Sequence, residues 1–472
     1  MFEDRQLVLP TGDIIIFNDE QFEGIGKIDE WLGSSENIFF TLSGYAGTGK
    51  TTILKKILDS YIGGVVVSAP THKAKKVVSR LTGVSGQTLH SLLGLRPDVN
   101  LDDFNPNDPK FNPIALPKIT DYNFVIIDEA SMINQELFDL IKNKTHHSYT
   151  KVLFVGDPAQ IPPVGEKESV VFSNEKTFKH HLTKVERQND SNPLGLFYTQ
   201  IRDNLNELDA GIKRTTNINE IGEGIEFIVN KKIFRKKVLE KFSSKEFKNN
   251  VDYCRLIAWK NNTVLTSNQI IRYYVFDKPK EIILKNDILM GYRTIITPNF
   301  RSNIIENSVD YKVIERSKLK KNKFDIMGYQ TVLREYTINK KYRDQNVFII
   351  DSSDKENVNN YAEQHDSLKL NAIKDKKLWK KYYTFRRNNL LMVNIDKYRN
   401  GDFRSKSEII AKDLDYGYAI TAHKSQGSTY EHVFVMEDDI NDNWLIKERN
   451  QIKYVALTRP TKTATVLTNK ID

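Results

Sequence analysis

Cysteine is nearly missing from this sequence. Cys254 is the single one in 472 residues, which excludes an internal disulfide and any cysteine-based zinc site and fits a reducing cytoplasm. Long apolar runs are missing too: no uninterrupted stretch suffices to span a bilayer. The opening "MFEDRQLVLP" is acidic and lacks a signal-peptide core, so the chain is expected in the cytoplasm and away from membranes. The nine histidines form no HExxH pattern, and no sequence repeat is visible. Charge of one sign is only modestly in excess: Lys plus Arg number 70 against 61 Asp plus Glu, a formal +9. Such an excess points to a polyanion only where basic residues share a surface with aromatics.

What is present describes a globular protein of more than one domain. Hydrophobic residues make up 39% and charged ones 28%, outside the range of disordered chains, and the length suggests about two to four domains. The run "NIFFTLSG" reads as a strand and "KTTILKKILDSYI" as a helix. Between them "GYAGTGKTT" places Gly44, Gly49, Lys50 and Thr51 in the pattern G-x-x-x-x-G-K-[ST]. About 0.02 chance matches are expected from average composition, so a glycine-rich turn without function is a poor reading. Glycines let backbone N–H groups close around phosphate oxygens, and the helix that follows points its positive end at them. Lys50 would then reach the β- and γ-phosphates of a nucleoside triphosphate, and the Thr51 hydroxyl would ligate Mg²⁺.

A phosphate loop of this kind needs an acidic partner. "YNFVIIDEAS" supplies an apolar strand ending in Asp128 and Glu129. Asp128 is expected to hold Mg²⁺ through its water shell, and Glu129 to orient or deprotonate the attacking water. A further strand, "KVLFVGDPAQIPPVG", leads into Asp157 and Gln160. Its proline-rich tail reads either as a plain turn or as a γ-phosphate sensor, Gln160, at the carboxyl ends of the strands.

The ordered set "GYAGTGKT", "APTHKAKK", "TLHSLLG", "VIIDEAS", "GDPAQIPPVG", "VERQ", "ITAHKSQGS" and "YVALTRP" resembles the superfamily 1 helicases. The resemblance runs from Gln21 to Arg459, and its forms are those of the 5′–3′ branch containing RecD and the phage Dda helicase, which Pif1-type helicases largely share. It implies an α/β fold of two RecA-like motor domains, with an inserted pin hairpin and an inserted small β-rich, SH3-like domain. It implies that Gln21 reads the adenine edge, and that Gly44, Gly47, Gly49, Lys50, Thr51, Thr52 and Gly427 line the nucleotide. Arg187 in "VERQ" and Arg459 in "ALTRP" become the arginines that reach the γ-phosphate. Pro460 departs from the family, which commonly has a small or helix-favouring residue there, so the helix after Arg459 is expected to start differently. Thr71, His72, Lys73, Thr88, His90, Thr421, His423, Lys424 and Ser425 are expected to touch the strand through its phosphates; for His90 and His423 a packed core histidine is the alternative.

The expected organisation is motor domain 1 over residues 1–95 and 118–183, the pin over 96–117, motor domain 2 over 184–284 and 406–472, and the β-rich insertion over 285–405. The pin segment carries five prolines with Phe104 and Phe111 between them, either ring able to stack at a fork. Lys374–Arg387 mixes seven basic residues with Trp379, Tyr382, Tyr383 and Phe385; it reads as an amphipathic helix packing its aromatics inward, or as a strand-binding surface. The function implied is an ATP- and Mg²⁺-dependent monomeric motor that moves 5′ to 3′ on single-stranded DNA and opens forked DNA. A single-strand-binding protein is a further partner, and the setting is a bacterial or phage-infected cytoplasm. A Pif1-type helicase, and a translocase that strips proteins but unwinds weakly, are the competing readings.

Overall fold

The computed structural model describes residues 4–9, 12–84, 86–95, 116–175, 177–186, 192–297, 303–335, 343–395 and 409–471. Contacts divide the chain into two units. One comprises Met1–Phe234, Ile257–Lys260 and Thr421–Asp472, the other Arg235–Leu256 and Asn261–Ile420.

The first unit is built on a six-stranded parallel sheet. Its order is Gly86–Thr88, Val65–Ala69, Phe124–Ile127, Lys151–Gly156, Phe39–Gly44 and Phe178–Leu182. Strands covered on both faces read as unbroken apolar runs, and the runs seen in the sequence are these strands. Side chains still alternate along each strand. Val125 and Ile127 enter a core with Leu137, Phe138 and Ile141, while Phe124 and Ile126 enter another with Ile25, Ile28, Leu54 and Ile57. The helix Lys50–Ser60 buries Ile53, Leu54, Ile57 and Leu58, a spacing that puts all four on one stripe. Because the strands are parallel, the phosphate loop, Thr71, Thr88, Asp128 and Asp157 all follow carboxyl ends at one edge of the sheet.

The same unit carries strands of a second sheet, with Tyr430–Met436, Pro460–Leu467 and Gly224–Ile228 parallel and Asn217–Ile218 antiparallel at the edge. The helix Ile446–Leu457 precedes Arg459. No helix follows Arg459: Thr458 caps the preceding helix and a strand starts at Pro460. Proline at the first residue of a strand loses no needed ladder bond, so Pro460 marks a strand start where a displaced helix was expected.

The second unit holds an antiparallel sheet ordered Lys320–Lys321, Met327–Glu335, Asp310–Arg316, Ile288–Gly291 and Leu414–Tyr416, with Arg343–Ile350 also paired to Met327–Glu335. Two helices lie between the strands Arg343–Ile350 and Leu414–Tyr416, within the stretch expected to be β-rich. Trp379–Arg387 is helical and buries Phe385 against Tyr361; Trp379 and Tyr382 are half-buried and Tyr383 is exposed, so only part of the aromatic set packs inward. The 20-residue helix Lys355–Lys374 was not expected. Its buried positions, Asn357, Tyr361, Ala362, His365 and Ala372, recur at helical spacing but are too few and too polar to stand out as an apolar stripe.

Candidate active site

The phosphate loop begins where the strand Phe39–Gly44 ends. Gly47 and Gly49 take φ of 83° and 81°, the left-handed region that glycine enters without steric cost. Gly44 is crowded: a Cβ there would fall 2.8 Å from Leu182 Cβ and from Thr48 Oγ1. Lys50 opens the helix and donates through Nζ to the carbonyl oxygens of Gly44 at 2.6 Å and Tyr45 at 2.8 Å. Its ammonium therefore lies along the loop's own backbone. Thr51 and Thr52 follow in the first helical turn, both half-buried.

Gln21 reaches the loop from its own helix. Asn18 caps Asp19–Gly33 in a reciprocal box with Gln21, and Gln21 Nε2 donates to Thr48 O at 3.1 Å. A Cβ at Gly49 would meet that amide at 2.4 Å, so Gly49 is what admits Gln21 to the site.

Asp128 and Glu129 stand side by side beyond the strand Phe124–Ile127. Glu129 adopts φ 57° and ψ 43°, a conformation uncommon outside glycine that clusters where geometry serves function. Burial raises the Asp128 pKa, and Lys50 opposes the shift. Glu129 is raised as well, first by burial and then by the charge of Asp128, with Arg459 and Lys50 pulling it back. Two carboxylates under two cations form the electrostatic centre of the site.

The segment after Thr421 closes on this pair. Gly427, at φ 68°, lies so near that an added Cβ would fall 3.0 Å from Ala74 Cβ and 3.4 Å from Glu129 Oε1. Arg459 is 6% exposed; its guanidinium donates to Val455 O at 3.0 Å, Ser428 O at 3.3 Å and Thr458 Oγ1 at 2.9 Å. Gln160 is buried among glutamines: Gln426 Nε2 donates to its side-chain oxygen at 3.4 Å and Gln451 Nε2 to its carbonyl at 3.0 Å. Sequence reasoning passed over Gln426, Gln451 and Tyr454, although Gln426 and Tyr454 stand inside quoted motifs, because their partners are far away along the chain.

The residues expected to touch a strand share a local role. Thr71, Thr88 and Thr421 each cap a helix, accepting the N–H of Ala74, Ser91 and Lys424 respectively. Ser425 is fully buried and donates to Ala422 O at 2.7 Å. His72 is buried and His90 half-buried. Burial lowers the pKa of half-buried His423, which leaves it neutral near pH 7. Arg187, Phe104 and Phe111 lie outside the described residues, as does the side chain of Lys73.

Oxygen donors fit Mg²⁺, a hard cation that keeps several waters and takes few protein ligands. Thr51 and Asp128 supply such donors, and no cluster of three or more His, Cys, Asp or Glu able to hold a metal exists among the described residues. Among those residues no helix is long and apolar enough to cross a membrane.

Comparison with known proteins agrees with this geometry. An AAA domain model matches residues 19–223 and a UvrD-like helicase C-terminal domain model matches residues 416–467. An uncharacterized protein of Acanthamoeba polyphaga mimivirus is 27% identical over 94% of this chain and 98% of its own length. The ATP-dependent DNA helicase dda of Enterobacteria phage T4 is 29% identical over 53% of this chain, a match spanning 55% of that protein. A solved structure of Pif1 helicases at forked DNA covers 97% of this chain and 93% of its own, with a TM-score of 0.53 at 18% identity, a likeness of fold. Together with the motif order and the convergence of both ends of the chain on one phosphate loop, these matches establish that the chain belongs to the superfamily 1 helicases, in the group that holds RecD, Dda and Pif1.

Proposed function

We propose that the protein is an ATP-dependent DNA helicase that moves 5′ to 3′ along single-stranded DNA and unwinds duplexes. The observation that carries the reading is the seating of the Thr421–Arg459 segment on the phosphate loop and on Glu129. A site assembled from both ends of the chain ties hydrolysis to the placement of the segment that bears the strand-facing motif.

Position supports the roles of the described residues, and motif order alone those of Arg187 and residues 96–117. The loop and Lys50 bind the triphosphate, and Gln21 orients the base from beside Gly49. Glu129 accepts the proton of the attacking water, its raised pKa matching that task near neutral pH. Arg459 neutralises charge developing on the transferred phosphoryl group, as does Arg187; such arginines are worth about 10³–10⁵ in rate. Thr51 and Asp128 would hold Mg²⁺, which neutralises phosphate charge when bound. Residues 96–117, with Phe104 and Phe111, serve as the wedge at the fork, and the protein acts as a monomer beside a single-strand-binding protein.

The test is ATP turnover with and without single-stranded DNA, followed by unwinding of matched duplexes bearing only a 5′ or only a 3′ overhang. DNA-stimulated turnover with unwinding from the 5′ overhang alone is expected. Unwinding from the 3′ overhang would overturn the direction, and turnover indifferent to DNA would overturn the motor.

A further inference from the structure

The outer residues of the phosphate loop are held by side chains from distant parts of the chain. Tyr454, on the helix Ile446–Leu457, accepts the Ala46 N–H through its hydroxyl oxygen at 3.1 Å, across 408 sequence positions. The same hydroxyl donates to Asp157 Oδ2 at 2.7 Å. Asp157 is fully buried, and its other oxygen accepts the Ala159 N–H at 2.9 Å, which shapes the turn into Gln160. Burial and the Asp157 charge raise the Tyr454 pKa well above its ordinary value. The phenol is therefore neutral, and its single proton is committed to the carboxylate. Next to Ala46, the ring of Tyr45 carries the Arg202 guanidinium at 4.1 Å from its centroid, and Tyr198 meets the Tyr454 ring edge-on at 6.4 Å. Arg459 lies just past the end of the Tyr454 helix.

We propose that Tyr454 is a positioning residue for ATP hydrolysis: its hydroxyl, aimed by Asp157, locks the phosphate loop in register with the segment that carries Arg459. The loop and Arg459 act on one phosphate chain, and a misplacement of about 1 Å between such groups is enough to slow chemistry a hundredfold. Contacts that only hold the loop shut would affect nucleotide binding. A tie between the loop and the segment ending in Arg459 instead affects the transition state, because Arg459 is needed where charge develops. The hydroxyl adds nothing to the ring's packing, so its loss is separable from the loss of the aromatic core.

The inference rests on the ATPase reading, and the experiment keeps the two apart. Steady-state ATP turnover at saturating single-stranded DNA is measured for the wild-type chain, Tyr454→Phe, Asp157→Asn and the double variant, with thermal unfolding of each. Tyr454→Phe is expected to lower kcat about tenfold, the scale of leaving the part-buried Ala46 N–H and the buried Asp157 oxygen without this partner, while KM for ATP stays within about threefold. The double variant is expected to be no slower than the slower single variant, because both changes break one linkage. Tyr454→Phe with wild-type kcat, kcat and KM worsening together in step with a lower Tm, or additive losses in the double variant would each overturn the proposal. A wild-type chain that hydrolyses no ATP would instead overturn the ATPase reading.

Discussion

Gly427 and Glu129 define how much tolerance the site has for a single atom. Adding a methyl at Gly427 forces an L-residue into φ 68°, which costs about 1–2 kcal/mol, and drives a carbon within 3.0 Å of Ala74. Gly427→Ala is therefore expected to lower kcat at least tenfold, through displacement of the loop from Glu129. A kcat within twofold of wild type would show that the loop relaxes without consequence. Glu129→Gln keeps the shape of the side chain and removes its ability to take a proton. Nucleotide affinity is expected within a few-fold of wild type and turnover reduced by 10² or more, the lower bound of what a positioned general base contributes. Near-normal turnover would assign water activation elsewhere.

The helix Lys355–Lys374 makes a pH-dependent contribution to stability through His365, which is 4% exposed. His365 Nε2 pairs with the Tyr382 hydroxyl at 2.9 Å and Nδ1 with Asp366 at 3.1 Å. Burial first, then the nearby Arg386 charge, lower its pKa from 6.5 to about 4, against Asp366. The unfolded chain binds a proton near pH 6.5 and the folded chain only near 4, so this contribution is complete above 6.5 and is lost as pH falls toward 4. The loss is on the order of 3 kcal/mol. Denaturant unfolding at pH 7.5 and pH 5 is expected to show a smaller drop for His365→Gln than for wild type; equal drops would refute the assignment. This helix also shows where the sequence was silent. The strand–loop–helix from Phe39 to Ser60 is legible because its pattern is local: an apolar run, glycines at positive φ, then a stripe of four aliphatics. Lys355–Lys374 hides because its buried face is made of Asn, Tyr, His and Ala, residues as common on surfaces. The strand at Pro460 escaped because family expectation outweighed what proline does to a helix. Tyr454 and Gln426 stood inside quoted motifs, yet their partners at Ala46 and Gln160 are set by tertiary structure alone.

At the scale of the whole molecule a formal charge of +9 does not say which groups meet DNA, but salt dependence does. Log affinity for a single strand falls with log salt by about 0.7 for each phosphate neutralised by a cation, and neutral donors release no counterions. The residues expected to face the strand divide on this criterion. Thr71, Thr88 and Thr421 are neutral, with hydroxyls already serving as caps, and Ser425 is buried. His423 is held neutral by its lowered pKa. Among the described side chains of this set, Lys424 is the lysine. Lys424→Ala is therefore expected to flatten the slope of log Kd against log salt by about 0.7, whereas His423→Ala weakens binding at every salt concentration and leaves the slope unchanged. Fluorescence anisotropy with a labelled oligonucleotide, at pH 7.5 and without nucleotide, reads both quantities from one titration series. Equal slopes for Lys424→Ala and wild type would remove Lys424 from the phosphate contacts. A flatter slope for His423→Ala would mean that this imidazole is charged when the strand is bound, and that DNA draws a proton into the site against the cost of burial.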